Sequence, residues 1–298
     1  MTLVARSEIE ALEAQLDQAV RTEHTQDLEI IGYGEITIAV KLSTLHGDFV
    51  CKRLAPLSSQ AVAERWASLI ETYINQLGTF GIDVVETDTP VLESSTGEVL
   101  YCVQPLLPLG TLGPDFLHNK TAEEAMPYVR QIFERIKASV SPFLAPDGQL
   151  SNWAFVGDRL RYLDVGTPFL RDEEGNDLCE FKEVTQALPG PVRLIVNRFL
   201  LREILDNYHS TRGQAMDFLG NLIKEGLGEI FPTLIPLANE VFDLSPGITE
   251  REVRAHYKSD AKTYAFIQSA RRADRWFHRT ILRKPYPYLL PPRIERYG

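Results

Sequence analysis

The sequence predicts an α+β chain in two lobes: an antiparallel sheet with one helix, then a mostly helical second half. Three observations carry that reading. Leu28–Gly32, Ile36–Leu42 and Asp48–Leu54 are successive runs rich in β-branched and apolar residues, and His46-Gly47-Asp48 supplies a turn. A buried strand over Val99–Val103 is followed by Pro105, Pro108 and Gly110, which break regular structure. Beyond the loop Asp172-Glu-Glu-Gly-Asn-Asp177 nearly every segment has helical periodicity.

Taken in order, Ser7-Glu-Ile-Glu10 matches a capping box, with Ile9, Leu12, Leu16 and Val20 following at helical spacing. Residues 1–26 are therefore read as an N-terminal helix, 27–104 as the first lobe and 105–298 as the second. Ser58 or Ser59 caps a helix reaching Leu77, whose apolar stripe is Val62, Trp66, Leu69, Ile70 and Tyr73; Gly78 and Gly81 end it. Val84-Val85 and Pro90–Leu92 are short extended pieces, and Ser94–Gly97 is a turn. Thr121-Ala-Glu-Glu124 is a second capping box, opening a helix to Val140. Asp147 to Asn152 reads as a loop, and Trp153–Val156, Gly157-Asp158 and Leu160–Leu163 as a hairpin. Helices follow over 192–208, 212–226, 230–243 and 249–283, and four prolines between 285 and 292 make the end an extended tail. In the last helix Arg271, Arg272, Arg275 and Arg279 form one face with Trp276 and Phe277 opposite, and Trp66, Trp153 and Trp276 are read as core.

Bulk properties narrow the function. The net charge is −10, which argues against a nucleic-acid binder. That charge is uneven: residues 251–298 carry +8 and the rest −18. The basic end reads either as a helix packed on an acidic body or as a docking surface for an acidic protein partner. Cys51, Cys102 and Cys179 are widely spaced with no metal-binding pattern; Cys51 and Cys102 fall in apolar strands as core thiols, as in a reducing cytoplasm. The polar N-terminus has no signal-peptide core, and no apolar run nears 18 residues, so no membrane association is expected.

The chemistry-bearing residues come in a fixed order. Gly32-Tyr-Gly34 lies between the first two strands, where glycines let backbone N–H groups approach a phosphate, although the same pair equally makes a plain hairpin turn. Lys52 interrupts an apolar strand; a half-buried lysine needs an anion, unless it snorkels to the surface. Glu71 on the next helix is the preferred partner and Glu64 the rival. Asp147 and Asn152, then Asp164-Val-Gly166, put two carboxylates and an amide on loops, as a metal–nucleotide site requires, or as turns alone. His209, His256 and His278 lack the spacing of a zinc site and are read as surface or core-edge residues.

This order over residues 32–166 resembles the protein-kinase-like fold, in its aminoglycoside-phosphotransferase and small-molecule-kinase branch. The resemblance implies that Gly32 and Gly34 belong to the nucleotide-covering loop. It implies that Lys52 holds phosphates and pairs with Glu71, and that Gln104 to Leu107, including Leu106, form a hinge whose backbone meets adenine. Asp147 would orient the acceptor hydroxyl, and Asn152 and Asp164 would bind Mg²⁺. Ala145 stands where the family usually has His, Gln149 where protein kinases have Lys, and Glu35 follows Gly34 without a third glycine. These departures point away from ordinary protein kinases. The implied activity is an ATP- and Mg²⁺-dependent phosphotransfer to a hydroxyl of a small molecule or peptide, with GTP as the alternative donor. A pseudokinase-like nucleotide- or partner-binding scaffold is the rival reading, and transfer of another group such as AMP a third.

Overall fold

The computed structural model describes residues 2–34 and 37–292. Helix α1 (Arg6–Thr22) opens the chain. It starts earlier than the Ser7–Glu10 box predicts: Ala5 is the cap, and Glu8 accepts the Ala5 N–H at 3.1 Å. Glu8 satisfies that orphan donor without any hydroxyl cap, so Ser7 falls inside the first turn. Strands β1 (Ile30–Tyr33), β2 (Ile38–Thr44) and β3 (Gly47–Arg53) follow. Then come α2 (Gln60–Thr79), β4 (Asp83–Val84), β5 (Val91–Ser94) and β6 (Gly97–Pro105). Ser59 caps α2 through the Val62 N–H.

Five of these strands form one antiparallel sheet in the order β1-β2-β3-β6-β5. Strand alternation gives each face a different partner. Ile38, Val40, Phe49, Cys51, Tyr101 and Val103 pack with Ile9, Leu12 and Leu16 of α1. Leu54, Leu100 and Cys102 belong to the main core, with Trp66, Ile70 and Tyr73 of α2. Arg53 emerges on the α1 side. It is buried, and Glu13 of α1 takes it in a two-pronged ion pair, 2.8 Å at both Nε and Nη2. The buried Tyr101 hydroxyl also bonds Glu13.

The second half contains α3 (Gly113–Leu117), α4 (Ala122–Ser139), β7 (Leu144–Ala145), β8 (Trp153–Val156), β9 (Arg159–Tyr162) and β10 (Phe169–Leu170). After them come α5 (Phe181–Thr185), α6 (Gly190–Ile195), α7 (Leu201–Tyr208), α8 (Thr211–Lys224), α9 (Phe231–Val241) and α10 (Glu250–Thr280). The Thr121–Glu124 capping box and the β8–β9 hairpin are where the sequence predicts them. The helix expected over 192–208 is interrupted: α6 and α7 are joined by a wider π-turn over Val196–Leu200. β4 pairs in parallel with β9, and β7 pairs antiparallel with β10, so short strands frame the loops at 146–152 and 163–168. The α2 end of the sheet is tied to α5: Ser58 N–H and Oγ–H both donate to Glu183, each at 3.0 Å.

The last helix reverses the expected orientation. Trp276 is 59% exposed, not core, and Phe277 is exposed beside it, whereas Arg271 is 1% exposed. Arg275 and Arg279 turn to Glu23 at 3.4 and 3.1 Å, and Arg279 donates to the Val20 carbonyl at 3.0 Å. This part of α10 meets the C-terminal end of α1, which offers a carboxylate and unpaired carbonyls rather than apolar surface. No helix among the described residues is long and apolar enough to cross a membrane.

Glu13→Ala leaves the Arg53 guanidinium buried without its anion, and urea unfolding should show a loss of about 3–5 kcal/mol. The double variant Glu13→Leu/Arg53→Met should recover most of that loss, because it removes both charges together.

Candidate active site

Lys52, Asp147, Asn152 and Asp164 come together from three separate stretches of chain. Lys52 projects from β3 on the face away from α1, and its Nζ sits 2.7 Å from Asp164 Oδ1. The Gly166 N–H donates to the same oxygen at 3.2 Å. Among the described residues Asp164 Oδ2 accepts no hydrogen bond. Asp147 lies just after β7, and its Oδ1 accepts the Gln149 N–H at 3.2 Å, the usual self-closing turn of an Asp. Asn152 ends the same loop, and its Nδ2 donates to the Asp147 carbonyl at 3.2 Å. Its Oδ1 is left without a protein partner among the described residues.

Two carboxylates and one ammonium share this half-buried cleft. Burial, reinforced by the charge of Asp164, pushes the Asp147 carboxyl up to about 7. Burial acts on Asp164 in the same direction, but the Lys52 charge and its hydrogen bond outweigh it and hold that carboxyl below its ordinary value. Lys52 is held above its ordinary value by Asp164 against the opposing effect of burial. One acid is thus firmly ionised, and the other is poised to gain or lose a proton near neutrality.

Several expected residues lie elsewhere. Glu71 is exposed and does not pair with Lys52; Glu64 is also exposed and bonds Gln60 at 2.7 Å. α2 turns Ala63, Trp66, Ile70, Tyr73 and Leu77 inward, which points both acids to solvent. Gly32 is inside β1 opposite Ala39, not in the turn. Gly34 closes the hairpin by donating to the Thr37 carbonyl at 3.0 Å; a Cβ there would stand 2.1 Å from Thr37 Oγ1. Glu35 lies outside the described residues. The Gln104 side chain turns inward, donating to Thr87 Oγ1 at 2.8 Å and the Leu163 carbonyl at 2.9 Å. Leu106 N–H is donated to the Asp48 carbonyl at 2.9 Å, so it is engaged within the sheet rather than open to a base.

The chain belongs to a family of unknown function, DUF6206. Its model matches residues 11–275, a span that takes in every residue of the cleft. No curated protein matches the chain.

In this family member the cleft depends on residues that the sequence presents only as core or surface. Trp66 of α2 donates its indole N–H to the Gly166 carbonyl at 3.0 Å. Tyr73, two turns further along α2, donates to the Ala145 carbonyl at 2.8 Å. From α8, Gln214 accepts the Gly148 N–H at 3.0 Å and donates to the carbonyls of Pro146 and Tyr208, both at 2.7 Å. Asn221, two turns on, donates to Gln149 Oε1 at 3.2 Å. Gly148 is required by this clamp, since a Cβ would come within 2.3 Å of Gln214 Oε1. Both amides are buried, on the stripe that includes Phe218; a buried polar side chain at that spacing is the one available sequence signal. Asp217 on the same helix pairs with His256 at 2.7 Å and adds a further negative field at Asp147.

Because the folded state prefers protonated Asp147, ionisation costs stability as pH rises from the unfolded value near 4 through about 7. Asp147→Asn removes that cost while keeping the oxygen that accepts the Gln149 N–H. The variant should match the wild type at pH 4 and exceed it by about 2–4 kcal/mol at pH 8 in denaturant unfolding. Equal stabilities at pH 8 would contradict the electrostatic account.

Proposed function

We propose that this chain is a Mg²⁺-dependent phosphotransferase of the protein-kinase-like fold, taking ATP or GTP as donor and a hydroxyl of a small molecule or peptide as acceptor. One observation carries the reading: Lys52 and Asp164 form an ion pair beside Asp147 and Asn152. The sheet order, with one helix between β3 and the rest, is consistent with the first lobe of such a fold.

The donor chemistry fits a hard divalent cation. Asn152 Oδ1 and Asp164 Oδ2 are oxygen ligands without protein partners among the described residues. Among the described residues no group of three or more His, Cys, Asp or Glu is arranged to hold a metal by itself. Two protein oxygens with the rest supplied by phosphates and water is a usual way to hold Mg²⁺. When bound, the ion would neutralise charge developing on the transferred phosphoryl group. Lys52 would turn from Asp164 towards the phosphates, adding a point charge in a cleft of low dielectric. Asp147, with its carboxyl near 7, suits a general base at neutral pH. The acceptor oxygen forms the new P–O bond, the nucleoside diphosphate leaves with the electrons of the broken P–O bond, and the acceptor proton passes to Asp147.

A scaffold without turnover is the second reading. The engaged Leu106 N–H and the absence, among the described residues, of a glutamate on Lys52 favour it. The three buried thiols suit a reducing compartment, and the exposed Arg283 and Lys284 would present the basic end to an acidic partner.

In a thermal-shift assay, Mg·ATP or Mg·GTP at a hundredfold excess over its Kd should stabilise the wild type by about 2.7 kcal/mol. Asp164→Ala and Lys52→Met should lose most of that response. Nucleotide hydrolysis, in the presence or absence of an acceptor, should fall at least about 100-fold in Asp147→Ala. Binding without any hydrolysis or transfer in the wild type would favour the scaffold, and no response to either nucleotide would sink the phosphotransferase reading and leave only a partner-binding scaffold.

A further inference from the structure

We propose that Tyr73 and Tyr162 are positioning residues: their hydroxyls form a hydrogen-bonded chain that fixes the backbone at Asp147 and links it to α2. Both side chains are fully buried. Tyr73 donates its hydroxyl hydrogen to the Ala145 carbonyl at 2.8 Å, and the Asp147 N–H donates to the Tyr162 hydroxyl oxygen at 2.9 Å. The two buried phenols act on each other, and the proposed chain closes by a hydrogen bond between their hydroxyls. The donor count fixes the direction of the chain. Tyr73 has one hydrogen and gives it to Ala145, so its oxygen accepts from Tyr162, whose own oxygen is then open to the Asp147 N–H. Burial raises both phenols well above their ordinary range, so the hydrogens stay in place at any physiological pH.

The geometry gives this chain a definite task. Both of its ends are on the same short stretch, Ala145 and Asp147, so it brackets the peptide bonds on either side of Pro146. Neither hydroxyl is hydrogen-bonded to the Asp147 carboxylate, whose protein partner is the Gln149 N–H. The pair therefore acts through the backbone and takes no part in proton transfer. Tyr162 is held by an edge contact with Trp153, ring centres 4.9 Å apart, and lies two residues before Asp164 on the strand that feeds the other acid. Tyr73 lies two turns from Trp66, which grips Gly166. α2 thus holds one residue beside each acid with a side-chain donor, and the tyrosine pair extends its hold to the Asp147 amide. The separation of the two carboxylates is then set by a helix bonded to both loops, without the glutamate–lysine pair expected from Glu71.

The consequence for catalysis rests on the phosphotransferase reading; the hydrogen-bonded chain itself does not. The test uses the full-length protein with Tyr162→Phe and Tyr73→Phe. Amide hydrogen exchange followed by NMR should show the Asp147 amide exchanging at least about tenfold faster in Tyr162→Phe, with the amides of α2 and α4 unchanged. With Mg·ATP, and with rates normalised to the folded fraction, kcat for hydrolysis should fall about tenfold or more while KM for the nucleotide stays within about twofold, a loss of transition-state stabilisation rather than of nucleotide binding. Unchanged exchange at Asp147 overturns the proposal. Faster exchange with unchanged kcat, in a wild type that turns over nucleotide, overturns the positioning role. A wild type without turnover counts against the phosphotransferase reading alone, and the exchange result still decides whether the chain holds the loop. If Tyr162→Phe does not fold, Tyr73→Phe removes only the far hydroxyl, and the same acceleration at Asp147 is required of it.

Discussion

Asp147 and Asp164 occupy one partly buried cleft, and Lys52 is the ammonium hydrogen-bonded there, to Asp164. Two carboxylates that compete for one cation cannot both ionise without cost. The fold resolves the conflict unequally. Asp164 takes Lys52 and the Gly166 N–H and stays charged, while Asp147 rises to about 7. That inequality divides the labour between the two acids. An always-ionised oxygen next to an uncommitted amide oxygen suits a hard cation, and an acid that titrates near neutrality suits proton transfer. The arrangement gains balance when more positive charge enters, which is the physical reason for reading it as a metal–nucleotide cleft.

The framework that enforces this closeness is mostly neutral. α2 grips the two acid-bearing loops through an indole and a phenol, and α8 holds the 146–151 loop through two buried carboxamides. Neutral donors hold a loop without placing a net charge near the carboxylates, so the inequality of the two acids comes from burial, from Lys52 and the Gly166 N–H at Asp164, and from Asp217 at Asp147. The Ser58–Glu183 hydrogen bonds add a further tie between the α2 end of the sheet and α5. With Glu13 and Arg53 joining α1 to the far face, the sheet is fixed on both sides.

Much of this was legible in the sequence. The β-branched runs, the Thr121 capping box and the Gly157-Asp158 turn are local signals, and their elements stand where expected. The order Lys52, Asp147, Asn152, Asp164 was legible as chemistry, and these four residues meet. What failed depended on partners distant in sequence. Glu71 was preferred to Glu64 for its nearness to the apolar stripe, yet it neighbours Ile70, and one residue is about 100° of helical rotation, enough to face solvent. The α10 arginines were read as one face of an amphipathic helix with Trp276 opposite in the core, because nothing local says that α10 ends on the carbonyls and Glu23 of α1. Tyr73 and Tyr162 looked like ordinary core residues; a hydroxyl's partner in a buried site cannot be read from hydropathy. Gln214 and Asn221 gave only a faint signal, two amides seven residues apart on the stripe with Phe218, since polar residues on a helix are usually solvated.

The central claim is that the cleft's unbalanced charge is completed by a divalent cation carrying a nucleotide. The most direct measurement is a crystal structure of the protein with Mn²⁺ and a non-hydrolysable ATP analogue, using the anomalous signal of manganese to place the ion. The account predicts a manganese peak about 2.0–2.3 Å from oxygens of Asp164 and Asn152, with phosphate oxygens completing its shell and Lys52 moved onto them. Nucleotide and manganese bound elsewhere, with the Lys52–Asp164 pair undisturbed, would contradict it.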